Sequence, residues 1–218
     1  MPNLHGCQEP GQLLPDWPRD FGRVGAQRLE LEIGPGHGAF ALDHVAAHPE
    51  VDLVCIETRR ADVELIKERA ARRKLSNLQI LHGDARLLLP NLFATAELQA
   101  VHIHCPDPWW KQRHHKRRLV DAGLALLLRR LLREGGEVDF RTDVPAYARE
   151  ALVTWEAAGY RSAQLIDEPP EVLSTRERRY AQTGQPVFRA LLVNPGSPAA
   201  DILNTKRTGR EWTDVRRK

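Results

Sequence analysis

Short strand-like runs alternate with helix-length stretches along most of the chain, and this alternation limits the architecture more than any other feature. Leu29–Ile33, Val51–Glu57, Leu78–His82 and Glu137–Arg141 read as strands, as does the every-second-residue apolar pattern Val101, Ile103, Cys105. Ala39 to about His48, Arg60–Lys74 and Tyr147–Ala158 read as helices. Leu119–Glu134 is another, with Leu124, Leu127, Leu128, Leu131 and Leu132 at helical spacing and a stop at Gly135-Gly136. Gly159-Tyr160 opens a further short strand to Ile166. Such alternation in 218 residues predicts one α/β domain, a doubly wound, mostly parallel sheet with helices on both faces. Ligands of these sheets collect at the C-terminal ends of the strands. The residues that follow each strand are therefore the candidates for function.

After the first strand comes Gly34-Pro35-Gly36-His37-Gly38, where glycines let the backbone approach a ligand closely. A dinucleotide fingerprint would be Gly-x-Gly-x-x-Gly, and here the third glycine comes one residue early. A plain tight connection is the competing reading. The second strand ends in Glu57, 19 residues beyond Gly38, a separation at which a carboxylate can meet ribose hydroxyls. Its two acceptor oxygens suit a cis-diol. The third strand leads into Gly83-Asp84-Ala85, in which Asp84 also reads as a turn acid. The fifth leads into Thr142-Asp143-Val144-Pro145, a helix start in which Asp143 is expected to cap and Pro145 fits the first turn.

The fourth strand runs into the most distinctive stretch, Cys105-Pro106-Asp107-Pro108-Trp109-Trp110-Lys111-Gln112-Arg113-His114-His115-Lys116-Arg117-Arg118-Leu119. The two prolines stiffen the backbone around Asp107 and keep it out of the helical region. Five full positive charges, Lys111, Arg113, Lys116, Arg117 and Arg118, follow within eight residues, as if a polyanion docked beside a reacting centre. The competing reading is a proline-punctuated loop with a solvated charge run.

Pro-Asp-Pro-Trp-x-Lys-x-Arg-His-x-Lys-Arg-Arg-Leu resembles the signature of the tRNA (guanine-N7)-methyltransferases, and the glycine loop looks like the S-adenosylmethionine loop of class I methyltransferases. The resemblance covers about residues 14 to 194 and implies a Rossmann-like, seven-stranded sheet whose antiparallel last strand is about Val187–Val193. It implies methyl transfer from S-adenosylmethionine to N7 of the variable-loop guanine of tRNA. Asp107 is then the catalytic candidate, and Glu32, Gly34, Gly36, Glu57, Asp84 and Asp107 are the cofactor candidates. Lys111, Asp143, Ser174 and Glu177 are expected around the guanosine, and Arg113, His114, His115, Lys116, Arg117 and Arg118 on the RNA. The chain departs from the family pattern at Ser174, where threonine is usual, at Arg176, where an aromatic ring is usual, and at Trp110, where proline is usual. In place of the family's Gly-Gln-Pro-Ile-Tyr-Arg it carries Gly184-Gln185-Pro186-Val187-Phe188-Arg189.

The net charge of +3 gives no global argument for nucleic acid. Cys7, Cys55 and Cys105 form no paired spacing, which points to a reducing compartment. No apolar run approaches ~18 residues and the N-terminus carries no signal-peptide pattern, so a cytoplasmic protein without a membrane span is expected. His102-x-His104 offers a histidine pair, but packing or hydrogen bonding is the expected use, and no metal. Residues 1–28 read as an irregular lead-in, 29–194 as the methyltransferase domain and 195–218 as a basic, disordered tail. A monomer or a homodimer is compatible with all of this. A nicotinamide-dependent oxidoreductase would leave the basic run unexplained, and a non-catalytic RNA-binding protein would have no need of the glycine loop with Glu57.

Overall fold

The computed structural model describes residues 14–22, 28–161 and 170–196. The expected tail from residue 197 onward lies outside them, as does most of the strand expected to Ile166. The elements are α1 (Trp17–Asp20), β1 (Arg28–Ile33), α2 (Ala39–Ala47), β2 (Val51–Glu57), α3 (Arg60–Arg72), β3 (Leu78–His82), α4 (Ala85–Leu88), β4 (Leu98–His104), α5 (Ala122–Leu131), β5 (Leu132–Thr142), α6 (Pro145–Ala157), α7 (Thr175–Thr183) and β6 (Phe188–Val193).

Among the described residues the sheet has six strands in the order β3-β2-β1-β4-β5-β6. All neighbours are parallel except β6, which runs antiparallel to β5. The strand expected from Gly159 to Ile166 is represented among the described residues by an antiparallel bridge from Arg161 to Val193, and β6 is the expected antiparallel last strand. The chain order reverses between β1 and β4, the switch point at which such sheets open a crevice.

β2 shows why the sheet carries helices on both faces. All seven of its residues are buried. Val51, Leu53 and Cys55 pack with α2 and α3, whereas Val54 and Ile56 join the larger core that includes residues of α5 and α6. A strand covered on both sides cannot afford an exposed alternate residue, which is the origin of its near-continuous apolar run.

Three expectations are corrected. The helix expected over 119–134 spans only Ala122–Leu131, because Asp121 caps it, its Oδ1 accepting from the Leu124 backbone N–H at 2.8 Å. Leu132 already lies in β5, opposite Leu98; either conformation buries it, so helical spacing could not mark the boundary. Asp143 is not the cap of α6. The residue before a proline is driven out of the helical region, so Val144, before Pro145, takes the cap position and donates to Thr142 Oγ1 at 3.2 Å. Within the lead-in, residues 17–20 are helical rather than irregular. Trp17 is buried there, stacks on Phe93 and donates its Nε1–H to the Leu92 carbonyl at 3.1 Å.

Candidate active site

The ends of β1 and β2 meet in one built feature. Gly34, Gly36 and Gly38 all have positive φ (74°, 56° and 75°), which glycine adopts without the steric cost a side chain would add. The Gly36 N–H donates to Glu57 Oε2 at 3.1 Å, while Glu57 Oε1 accepts from the Arg59 N–H at 2.8 Å. Glu57 is thus fixed in orientation and ties the glycine loop to its neighbouring strand. A Cβ on Gly34 or Gly36 would meet nothing within 4 Å, so open space lies in front of this turn; one on Gly38 would strike Ile66. Gly83 follows on the next strand, its N–H bonded to the Glu57 carbonyl at 2.9 Å. Asp84, exposed beyond it, caps α4 by accepting from the Arg86 N–H at 2.9 Å.

β4 delivers the proline-bracketed acid. Cys105 and Trp109 adopt left-handed φ (48° and 46°), so the chain turns sharply on both sides of Pro106-Asp107-Pro108. Side-chain-bearing residues adopt that conformation at a cost of about 1–2 kcal/mol each. Asp107 is exposed at the turn. The following segment folds back in a 3₁₀ turn over Gln112–Arg117, with Arg117 over the Trp109 ring and His114 edge-on to it at 5.9 Å. Trp110 is 73% exposed. Lys111, Arg113, Lys116 and Arg117 are exposed as a cationic rim, and His114 and His115 are half-buried.

Arg118 departs from the expected RNA contact. It is 6% exposed, donates its Nε–H to the Pro108 carbonyl at 2.8 Å, pairs with Glu150 and lies over the Tyr147 ring. Arg86 fastens the far end of the loop by donating to the Arg118 and Leu119 carbonyls at 2.7 and 2.9 Å. Arg118 is therefore a strut beneath the loop, not part of the rim.

Among the residues expected around guanosine, Ser174 and Glu177 hold one another in place. Ser174 and Glu177 form a reciprocal cap on α7, each side chain accepting from the other's backbone N–H, at 3.3 and 2.8 Å. Glu177 also accepts from Arg141 Nη1 at 3.1 Å. Asp143 Oδ2 accepts from the Tyr180 hydroxyl at 2.6 Å, and its Oδ1 is buried without a hydrogen-bond partner among the described residues.

Below these groups runs a polar ladder that sequence reading had not assembled. Glu30 and Glu32 of β1, His102 and His104 of β4, and Asp139 and Arg141 of β5 share the face covered by α2, with Glu32 opposite His102 and His102 opposite Asp139. His102 and His44 both bond Glu30 Oε2 through Nε2 at 2.8 Å, and Arg141 grips Asp139. The available signal was six polar residues at every-second spacing in a mostly parallel sheet, whose strands, covered on both faces, ordinarily carry near-continuous apolar runs.

Burial and pairing compete along the ladder, and the winner differs from residue to residue. Burial lifts the Glu32 carboxyl to about 7, which neighbouring His102 and Cys55 only partly oppose. Burial also disfavours charge on His102, but the carboxylates of Asp139 and Glu30 outweigh it and raise its pKa to about 9. His104 is the reverse: burial prevails and lowers it to about 4. Ligand-type atoms of His102, His104 and Asp139, and of Glu30, His44 and His102, lie within 4.8 Å of one another. A cation on either set would have to break the existing bonds, and on the first would face the Arg141 guanidinium.

The sheet order, antiparallel last strand and glycine loop with its acidic partner define a class I methyltransferase, and the solved structures agree. An aminoglycoside-resistance methyltransferase superposes with a TM-score of 0.57 over 84% of this chain and 95% of its own, at 16% identity. The phosphoethanolamine N-methyltransferase 2 of Haemonchus contortus, solved with S-adenosyl-L-methionine, gives 0.54 over 82% of this chain and 51% of its own, at 15% identity. S-adenosylmethionine is the methyl donor of this class, and the open space before Gly34 and Gly36, with the oriented Glu57, fits it.

Sequence narrows the class to one family. Residues 26–190 match the family model described as a putative methyltransferase. The tRNA (guanine-N(7)-)-methyltransferase of Anaeromyxobacter dehalogenans is 55% identical over 83% of this chain and 92% of its own. That of Myxococcus xanthus is 41% identical over 83% of this chain and 89% of its own. The chain belongs to the tRNA (guanine-N7)-methyltransferase family.

Proposed function

We propose that this protein methylates N7 of a guanine in tRNA, the variable-loop guanine, with Asp107 at the reacting centre. The observation that carries the reading is the Pro106-Asp107-Pro108 turn. It is presented at the C-terminal edge of β4, strutted by Arg118 and rimmed by exposed cations, on the sheet edge that also holds the glycine loop. No helix among the described residues is long and apolar enough to cross a membrane.

S-adenosylmethionine supplies an electrophilic methyl group on a sulfonium. Guanine N7 carries an in-plane lone pair, so no base is needed to create a nucleophile. The demands on the protein are in-line positioning and support for positive charge as it appears on the purine. Glu57 is oriented to accept from ribose hydroxyls, and Glu32 lies beneath the loop. Asp107 accepts from the guanine edge and offsets the developing charge. Asp143 Oδ1 supplies a further acceptor, and Lys111 meets the nucleotide's phosphate. Ser174 and Glu177 serve by fixing α7 against Arg141.

Incubating the protein with tritiated S-adenosylmethionine and bulk tRNA, then mapping the labelled base, tests the reading. Label on N7-methylguanine of the variable loop is expected. Label on another base, or transfer to protein or small molecules alone, would overturn it.

A further inference from the structure

Away from the sheet edge, α2, α3 and α7 border an open cleft of about 340 Å³, lined by Leu42 and Asp43 and by four guanidiniums, Arg69, Arg72, Arg73 and Arg178. We infer that this arginine cleft is a second tRNA contact, a seat for phosphodiesters of the tRNA body while the target guanine occupies the sheet edge. The inference rests on the tRNA reading above and extends it to a site that reading does not use.

Charge balance is the first observation. Four cations share the cleft with one carboxylate, Asp43, which is already paired with both Arg73, at 2.7 Å, and Arg178. Arg69 donates to a neutral acceptor, the His37 carbonyl, at 2.9 Å. Among the described residues Arg72 has only an exposed pair with Glu68 at 3.6 Å, a contact worth little in water. Guanidiniums gathered around one cavity with too few acids repel one another, and a polyanion relieves that repulsion.

Origin is the second. Arginines in the last turn of α3 complement its helix dipole, which accounts for Arg69 and Arg72 as a solvated face. It does not account for Arg178, which comes from α7, remote in sequence, and turns into the same cleft. The placement of α7 also links cleft to site. Glu177 points inward to Arg141, and the next residue, Arg178, points to the cleft. On the opposite wall, Arg69 holds the carbonyl of His37, which lies between Gly36 and Gly38 of the cofactor loop. An RNA strand crossing α7 meets both.

The test uses Arg72→Gln with Arg178→Gln, leaving Arg73 on Asp43 and Arg69 on the cofactor loop. A charge-matched control carries Arg130→Gln and Arg133→Gln, both exposed and outside the cleft. Binding of tRNA is followed by fluorescence anisotropy from low to moderate salt, alongside thermal melting and calorimetry with S-adenosylmethionine. The cleft variant is expected to melt and bind cofactor like wild type, to bind tRNA about tenfold more weakly at low salt, and to lose about 1–2 units of salt slope. The control is expected to change tRNA affinity less than threefold. A cleft variant with wild-type slope and affinity, or a control that weakens binding equally, would overturn the cleft. If wild-type protein neither binds nor methylates tRNA, the functional reading itself fails, and the two failures are told apart by the wild-type arm.

Discussion

The Arg118 guanidinium donates to the Pro108 carbonyl across 2.8 Å while pairing with Glu150 and covering the Tyr147 ring. A residue from a run of cations thus sets the position of the turn that presents Asp107. Arg118→Met keeps much of the stem but removes every hydrogen bond, so the turn should loosen. Methylation at saturating tRNA is expected to fall about 10–100-fold, as misplaced groups cost in positioning-dependent chemistry. Affinity for tRNA should stay within threefold of wild type. Steady-state kinetics paired with anisotropy reads both; a variant that loses tRNA affinity but keeps turnover would return Arg118 to the rim.

The opposite split is expected of the exposed cations. Replacing Arg113, Lys116 and Arg117 together by Gln should reduce the salt dependence of tRNA binding by about 2–3 units of slope, since such contacts act by counterion release. Cofactor affinity should not move. A titration in which the triple variant keeps the wild-type slope would leave these side chains as a solvated face.

These two predictions mark where sequence reading stopped. The strand–helix alternation, the glycine loop and Glu57 were legible because backbone periodicity and turn chemistry are local. β2, β3 and β6 fell close to their expected ends. Arg118 was not legible, because charge runs look alike whether a guanidinium faces water or a buried carbonyl. Nor was the tie between Arg141 and Glu177, which depends on how α7 docks across β5. The polar ladder needed the register of three strands, and β4 and β1 are far apart in the chain. Asp143 misled because a good capping residue next to a proline still has to yield to the backbone restriction on Val144.

The ladder gives a pH signature. Glu32 is raised from 4.5 to about 7, so it favours the folded state while protonated, and that contribution is lost as pH rises from 4.5 through 7. His102 is raised from 6.5 to about 9; its contribution is complete below 6.5 and lost as pH rises through 9. His104, lowered from 6.5 to about 4, gains in the opposite direction between those values and offsets part of the Glu32 loss below pH 6.5. Stability should therefore decline on the alkaline side from about pH 6.5. Glu32→Gln mimics the protonated acid. It should come within about 1 kcal/mol of wild type at pH 5 and widen its advantage by about 1–3 kcal/mol at pH 8, given that one pKa unit is about 1.4 kcal/mol. Urea melts at the two pH values check this, and an equal difference at both would mean Glu32 is charged throughout.

The central claim is that the carboxylate of Asp107, held between its two prolines, supports positive charge on guanine as the methyl arrives. Asp107→Asn keeps the shape, removes the charge and turns one acceptor into a donor. The prolines and the Arg118 strut remain, so the turn should persist in the variant. The most direct measurement is the single-turnover rate of methyl transfer with cofactor and tRNA both saturating. The asparagine variant is expected to bind S-adenosylmethionine within a few-fold of wild type and to transfer the methyl group ~10²–10³ more slowly. A single-turnover rate within threefold of wild type would contradict the account and leave Asp107 a loop acid between two prolines.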